Sequence, residues 1–219
     1  MLIREVCVGS YREALQAAAA GAERIELCDN LADGGTTPGP GTLQMTRAAL
    51  SLPIHVIIRP RGGSFHYSAD EVAIQCYDIA YCRELGFEGV VLGALDAEGH
   101  LDMAVMTQLL SQTAGMAVTF HMAFDALPRE EQFAAIDWLA AAGVSRILTR
   151  GGPGSAPDNL EHLRALIAYA ADRLIILPGG GINRDNLDAV ARATGARELH
   201  GSRIVGQVTG SSAAFNTEG

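Results

Sequence analysis

Two Glu-x-Cys pairs lead the residues able to do chemistry: Glu5 with Cys7 in "REVCV", and Glu26 with Cys28 in "RIELCDN". The two-residue period of a strand places each carboxylate and its thiol on one face. A carboxylate there can move a proton, and a pair of thiolates is a soft ligand set that favours Cu(I). Further along, "IIRPRGG" supplies two guanidinium forks, Arg59 and Arg61, around a proline that stops strand pairing. "TFHMAFD" brings His121 and, a loop step later, Asp125, and "ELHGS" ends on His200 and Ser202. Glycine-rich endings complete the set, with Gly151 and Gly152 in "LTRGG" and Gly179, Gly180 and Gly181 in "LPGGGIN". Such glycines let backbone N–H groups approach an anion, and the helix expected after Asn183 would present its positive end to it. They serve equally as plain tight turns.

All of these segments end strand-like runs. β-Branched runs predict strands over 3–8, 24–28, 54–59, 89–92, 118–121, 146–149, 174–177 and 198–200, alternating with amphipathic helical stretches. Ser10-x-x-Glu13 and Ser68-x-x-Glu71 have the capping-box form. Pro128, Asp158 and Asn183 mark further helix starts, while Gly21, Gly86, Gly143 and Gly195 punctuate helix ends. This cadence predicts an α/β fold, a TIM-like (β/α)8 barrel over residues 1–205 as a single domain. Functional side chains of such barrels gather where strands run into the following loops. After His200, "GSRIVGQVTGSSAAFNTEG" is too rich in glycine and serine for a long outer helix. The last helix is therefore expected to be incomplete or missing, with residues 206–219 as a flexible tail. An apolar patch left uncovered there would suit a second subunit, which makes a homo-oligomer an expected assembly.

Composition narrows the partners. The 219 residues carry a net charge of −9, and the 16 basic residues form no cluster able to neutralise phosphates, so nucleic acid is not an expected partner. No run approaches the roughly 18 apolar residues of a membrane span, and no basic segment leads into an apolar one at the start. A cytoplasmic protein is expected. Four cysteines at 7, 28, 76 and 82 form neither a disulfide framework nor a paired CxxC motif, so reduced thiols are the default. Cys76 and Cys82 fall on different faces of one helical pattern. His55, His66, His100 and His162 lie away from the strand ends, and Phe65 and Tyr67 in "GGSFHYS" fit a lid or a packed loop.

"RIELC" with "GGTTPGPG" behind it, "IRPRGG-F-YS", "TFH-AFD", "RILT-GG", "GGGI" and "ELHGS" occur in the order found in the CutC family, which residues 5–202 resemble. The resemblance implies a TIM-like barrel and, by the family's name, copper homeostasis in the cytoplasm. Cys7 and Cys28 on adjacent strands would be the Cu(I) ligands, helped by His200 or Met122. Two positions depart from the family pattern: Met122 replaces an arginine after the histidine, and Arg150 replaces a serine before Gly151. The same cavity also fits an enzyme. Glu5, Glu26, Arg59, Arg61, His121, Asp125 and His200 would converge, with His121 or Glu26 in acid–base work and the arginines holding a small carboxylate- or phosphate-bearing substrate. Gly151, Gly152, Gly179, Gly180, Gly181 and Ser202 would bind its anionic group. A third use of the charged residues is an internal salt-bridge layer. In each case Glu26 is expected opposite Arg59 on the neighbouring strand, and the two Glu-x-Cys pairs side by side.

Overall fold

Each β-branched run becomes a short strand, and a helix on the outside follows each of the first seven. The computed structural model describes residues 2–208. The strands are β1 (Ile3–Val8), β2 (Arg24–Leu27), β3 (Ile54–Ile57), β4 (Gly89–Leu92), β5 (Ala117–Phe120), β6 (Arg146–Thr149), β7 (Ile175–Pro178) and β8 (Glu198–His200). Between them lie α1 (Tyr11–Ala19), α2 (Pro40–Ala49), α3 (Ala69–Glu84), α4 (Met103–Leu110), α5 (Gln132–Ala141), α6 (Leu160–Ala170) and α7 (Leu187–Thr194). Ser68 and Glu71 cap α3 reciprocally, as their spacing predicts. At α1 the Ser10 hydroxyl accepts from the Glu13 amide, while the Glu13 carboxylate reaches the amide of Gly9 rather than that of Ser10.

All strand pairs are parallel, in the order β7-β6-β5-β4-β3-β2-β1-β8, which is a nearly closed TIM-like barrel. The β7–β8 seam is joined above the strands, where Asn183 and Arg203 form an isolated parallel bridge and the Arg184 amide donates to the Arg203 carbonyl at 3.2 Å. Gly201 permits this approach, since a Cβ there would lie 2.3 Å from the Ile182 carbonyl oxygen.

No helix follows β8 among the described residues, in line with the expected gap in the outer ring. Ile204 and Val205 are buried in the core there, so that segment covers itself; residues 209–219 of the expected tail lie outside the described residues. Among the described residues, the large exposed apolar side chains sit elsewhere, Met45, Ile74, Tyr77 and Met103 on α2, α3 and α4, with Leu31 and Tyr169 less exposed.

Outward-facing strand residues such as Val6, Ile25, Val56, Leu92 and Phe120 fill the space between barrel and helices and are fully buried. Each such side chain contributes on the order of 1.5–3 kcal/mol. The barrel's inside is different: its lower layer is built of Glu5, Arg24, His55, Arg146 and Glu198, and the site stands on that layer.

Candidate functional site

Strand register decides which groups meet. Glu5 pairs with Arg24 and Cys7 with Glu26 across β1 and β2. The two Glu-x-Cys pairs are thus offset by one two-residue step and do not lie side by side. Cys28 rises above the pair, with its Sγ 3.8 Å from that of Cys7. On its other side Glu26 faces His55 of β3, not Arg59.

Beneath the thiols lies an ionic layer. The fully buried Glu5 accepts from Arg24 Nε and, at 2.8 Å, from His200 Nδ1. Arg24 also pairs with Glu198, which accepts from Arg146 Nε at 2.8 Å. Glu5 therefore sits below the mouth as a positioning residue, contrary to the expectation that it lines it. Its bond to Nδ1 turns the other ring nitrogen of His200, Nε2, toward Glu26 Oε2 at 3.5 Å. The ligand atoms of Cys7, Glu26 and His200 lie within 4.8 Å of one another.

Charge follows from this packing. Burial opposes ionisation of Glu5, yet the bond from His200 and the charge of Arg24 hold it well below the usual carboxylate range. Burial also disfavours the His200 imidazolium, and the surrounding Glu26, Cys7 and Glu5 overcome it, raising that pKa well above its ordinary value. The Cys28 hydrogen bond, aided by His200, brings the Cys7 thiol down to about 5 against its burial. The hydrogen bond with Cys7 and burial push the Cys28 thiol well up, and burial, with the neighbouring Cys7 charge, pushes the Glu26 carboxyl well up in the same way.

Above this floor opens a cavity of about 680 Å³ at the C-terminal ends of the strands. Arg59, Phe65, His121 and Met122 line one side, and Gly180, Gly181, Ser202 and Arg203 another. Gly93 makes room for His121, because a Cβ there would lie 2.7 Å from the imidazole. The His121 ring packs 4.8 Å from Phe65, and its Nδ1 accepts from the Ala123 amide at 3.2 Å. Burial, with Arg59 nearby, lowers its pKa to about 3, so it carries no charge at neutral pH. The Arg59 guanidinium donates to the carbonyls of Asp33, Gly35 and Gly63 at 2.9, 3.0 and 2.8 Å, which ties the two loops together.

Several expected site residues lie outside the cavity. β3 ends at Ile57, so Arg59 and Arg61 no longer share a face; Arg61 turns to Glu71 and to the carbonyls of Gly62, Ser64 and His66. Asp125 accepts from Thr149 Oγ1 and the Arg150 amide, stapling the turn after β5 to the end of β6. Arg150 faces Asp125 at 3.6 Å, which places that family departure in a pair between an exposed guanidinium and a largely buried carboxylate. Gly151 and Gly152 pack beneath Leu163 and Asn159 on the way into α6, and Gly179 lies under Leu148 and His200. Four residues that the sequence reading left out matter here: Arg24, Arg146 and Glu198 in the floor, and Arg203 at the rim. Arg24 and Glu198 were within reach, each lying two positions before a site residue on its own strand.

Fold and floor together define a (β/α)8 barrel whose C-terminal cavity ends on paired thiols, a buried carboxyl and a buried histidine. The chain belongs to the CutC family, whose model matches residues 2–205. It is 47% identical over 209 residues to a family protein CutC of Enterococcus faecalis, covering 93% of this chain and 100% of that one. It is 40% identical to the human copper homeostasis protein cutC homolog, across 90% of this chain and 72% of the relative. A crystal structure of CutC from Streptococcus agalactiae superposes with a TM-score of 0.90 at 38% identity, over 93% of this chain and 100% of the other. Similarity extends more distantly to an aldolase, QR15, with a TM-score of 0.70 at 13% identity, over 94% of this chain and 92% of that one, and there it concerns the fold alone.

Proposed function

We propose that this protein binds Cu(I) in the cytoplasm as part of copper homeostasis, taking the ion as cargo on Cys7, Cys28 and His200. The 3.8 Å separation of two thiol sulfurs, above a histidine held by Glu5, carries this reading. Two sulfurs and an imidazole suit a soft monovalent ion, which would take the place of the proton on His200 Nε2 while Glu5 keeps its bond to Nδ1. Cys7 is poised to deliver a thiolate near neutral pH. The name of the human relative supports the same role.

Competition titration of reduced protein against a chromophoric Cu(I) chelator tests it. Cys7→Ser and Cys28→Ser, singly and together, remove the soft ligands at nearly constant size, and the tight phase should disappear from the double variant. Unchanged affinity in a folded double variant refutes the assignment. Melting curves accompany the titration, because a buried hydroxyl can itself cost about 1–3 kcal/mol.

A further inference from the structure

The copper site occupies only the floor of the cavity, and the walls above it have a different character. Arg59 is 5% exposed, yet no carboxylate pairs with it among the described residues; its three acceptors are neutral carbonyls. Its Nε finds no acceptor, and neither does Nε2 of His121, the nitrogen that bears the proton because Nδ1 accepts from Ala123. Across the mouth, Arg203 lines the same cavity and likewise joins no ion pair among those of the described residues. The one acidic residue lining the cavity is Glu26, down in the floor, where it faces His200 Nε2 at 3.5 Å rather than either arginine. In a chain of net charge −9, this cavity therefore collects unpaired positive charge.

The two guanidinium groups come from loops after β3 and β8, three strands apart around an eight-stranded barrel. Two separated unit charges match a ligand with a carboxylate at each end, whereas a phosphate concentrates its charge at one point. A cavity of about 680 Å³ suits a small organic molecule. We infer that the cavity binds a small dicarboxylate, held at one end by Arg59 and at the other by Arg203 and Ser202, above the thiol floor. This site is independent of the copper reading, since none of its three holding groups is a proposed copper ligand.

Calorimetric titration of metal-stripped, reduced protein with succinate, in chloride buffer at fixed ionic strength, tests it. Saturable one-to-one binding is expected, with propionate weaker. Arg203→Gln, on an exposed side chain that ties down no loop, should weaken succinate about tenfold or more, the loss of one charge-assisted hydrogen bond. Arg59→Gln should do the same, but it also releases two loops; Arg59→Lys, which retains the charge, should recover part of the affinity. Arg83→Gln, whose guanidinium bonds the Gln112 carbonyl, is the remote control and should bind as the parent does. Absence of saturable succinate binding, equal affinity in folded Arg203→Gln, or tighter binding of inorganic phosphate than of succinate overturns the inference.

Discussion

Glu5 and Glu26 are both buried carboxylates on neighbouring strands, and the same substitution should affect them very differently. Glu5→Gln removes an anion bonded to Arg24 and His200, with His55 3.8 Å away. Arg24 keeps Glu198, but that carboxylate is already shared with Arg146, and His200 loses the partner that holds its proton. Breaking a buried ion pair from one side costs about 3–5 kcal/mol. At roughly 2–4 °C per kcal/mol for a chain of this size, the melting temperature should fall by about 6–20 °C. Glu26→Gln replaces a carboxyl whose ionisation burial already opposes, and it strands no arginine because Arg59 bonds loop carbonyls rather than Glu26. Its cost should stay within about 1 kcal/mol. Differential scanning calorimetry of both variants at pH 7 reads the contrast. Equal losses, or a Glu5→Gln loss below about 1 kcal/mol, would show that the charge assignment of the floor is wrong.

The stability difference between parent and His55→Gln should depend on pH. Burial first, and neighbouring Arg24 and Arg146 next, bring the folded-state pKa of His55 from 6.5 to about 4 against the pull of Glu5. The unfolded chain thus takes up a proton below 6.5 that the folded chain refuses, so the parent loses stability relative to the variant as pH falls from 6.5 toward 4. Urea unfolding at pH 7 and 4.5 should show the gap moving by about 2–3 kcal/mol in the variant's favour, and a constant gap contradicts the assignment. Among the thiols, iodoacetamide at pH 7 should modify Cys7 first and Cys82 last, since burial pushes Cys82 up to about 12. Peptide mass spectrometry reads the order, and Cys82 reacting ahead of Cys7 would refute it.

Local features of the chain determined the order of elements. β-Branched runs place eight strands within a few residues of their observed bounds, because side-chain period and turn chemistry act over a handful of neighbours. Gly21, Gly86, Gly143 and Gly195 all adopt positive φ at the helix ends they mark, and the Ser68–Glu71 cap forms as its spacing requires. That no helix follows β8 among the described residues was legible for the same reason, in a segment too polar and glycine-rich to bury a stripe. Cys7, Cys28, His121 and His200 at strand ends, with Gly180, Gly181 and Ser202 in the last loops, were legible as cavity residues once the barrel was inferred.

Only the tertiary structure decided what faces what. The offset that sets Cys7 beside Glu26 comes from barrel closure and core packing, to which a two-residue period is blind. Arg24 meets Glu198 from 174 residues away, and the β1–β8 register sets Glu5 opposite His200, which makes Glu5 a buried support for that ring rather than a group at the mouth. Beyond the last paired residue a strand's alternation lapses, so Arg59 turns to the loop carbonyls at the cavity wall while Arg61, two positions on, leaves it for Glu71. Protonation states follow the same division: the residue types were in the sequence, but which carboxylate is ionised and which thiol is activated depends on neighbours brought together by the closed barrel.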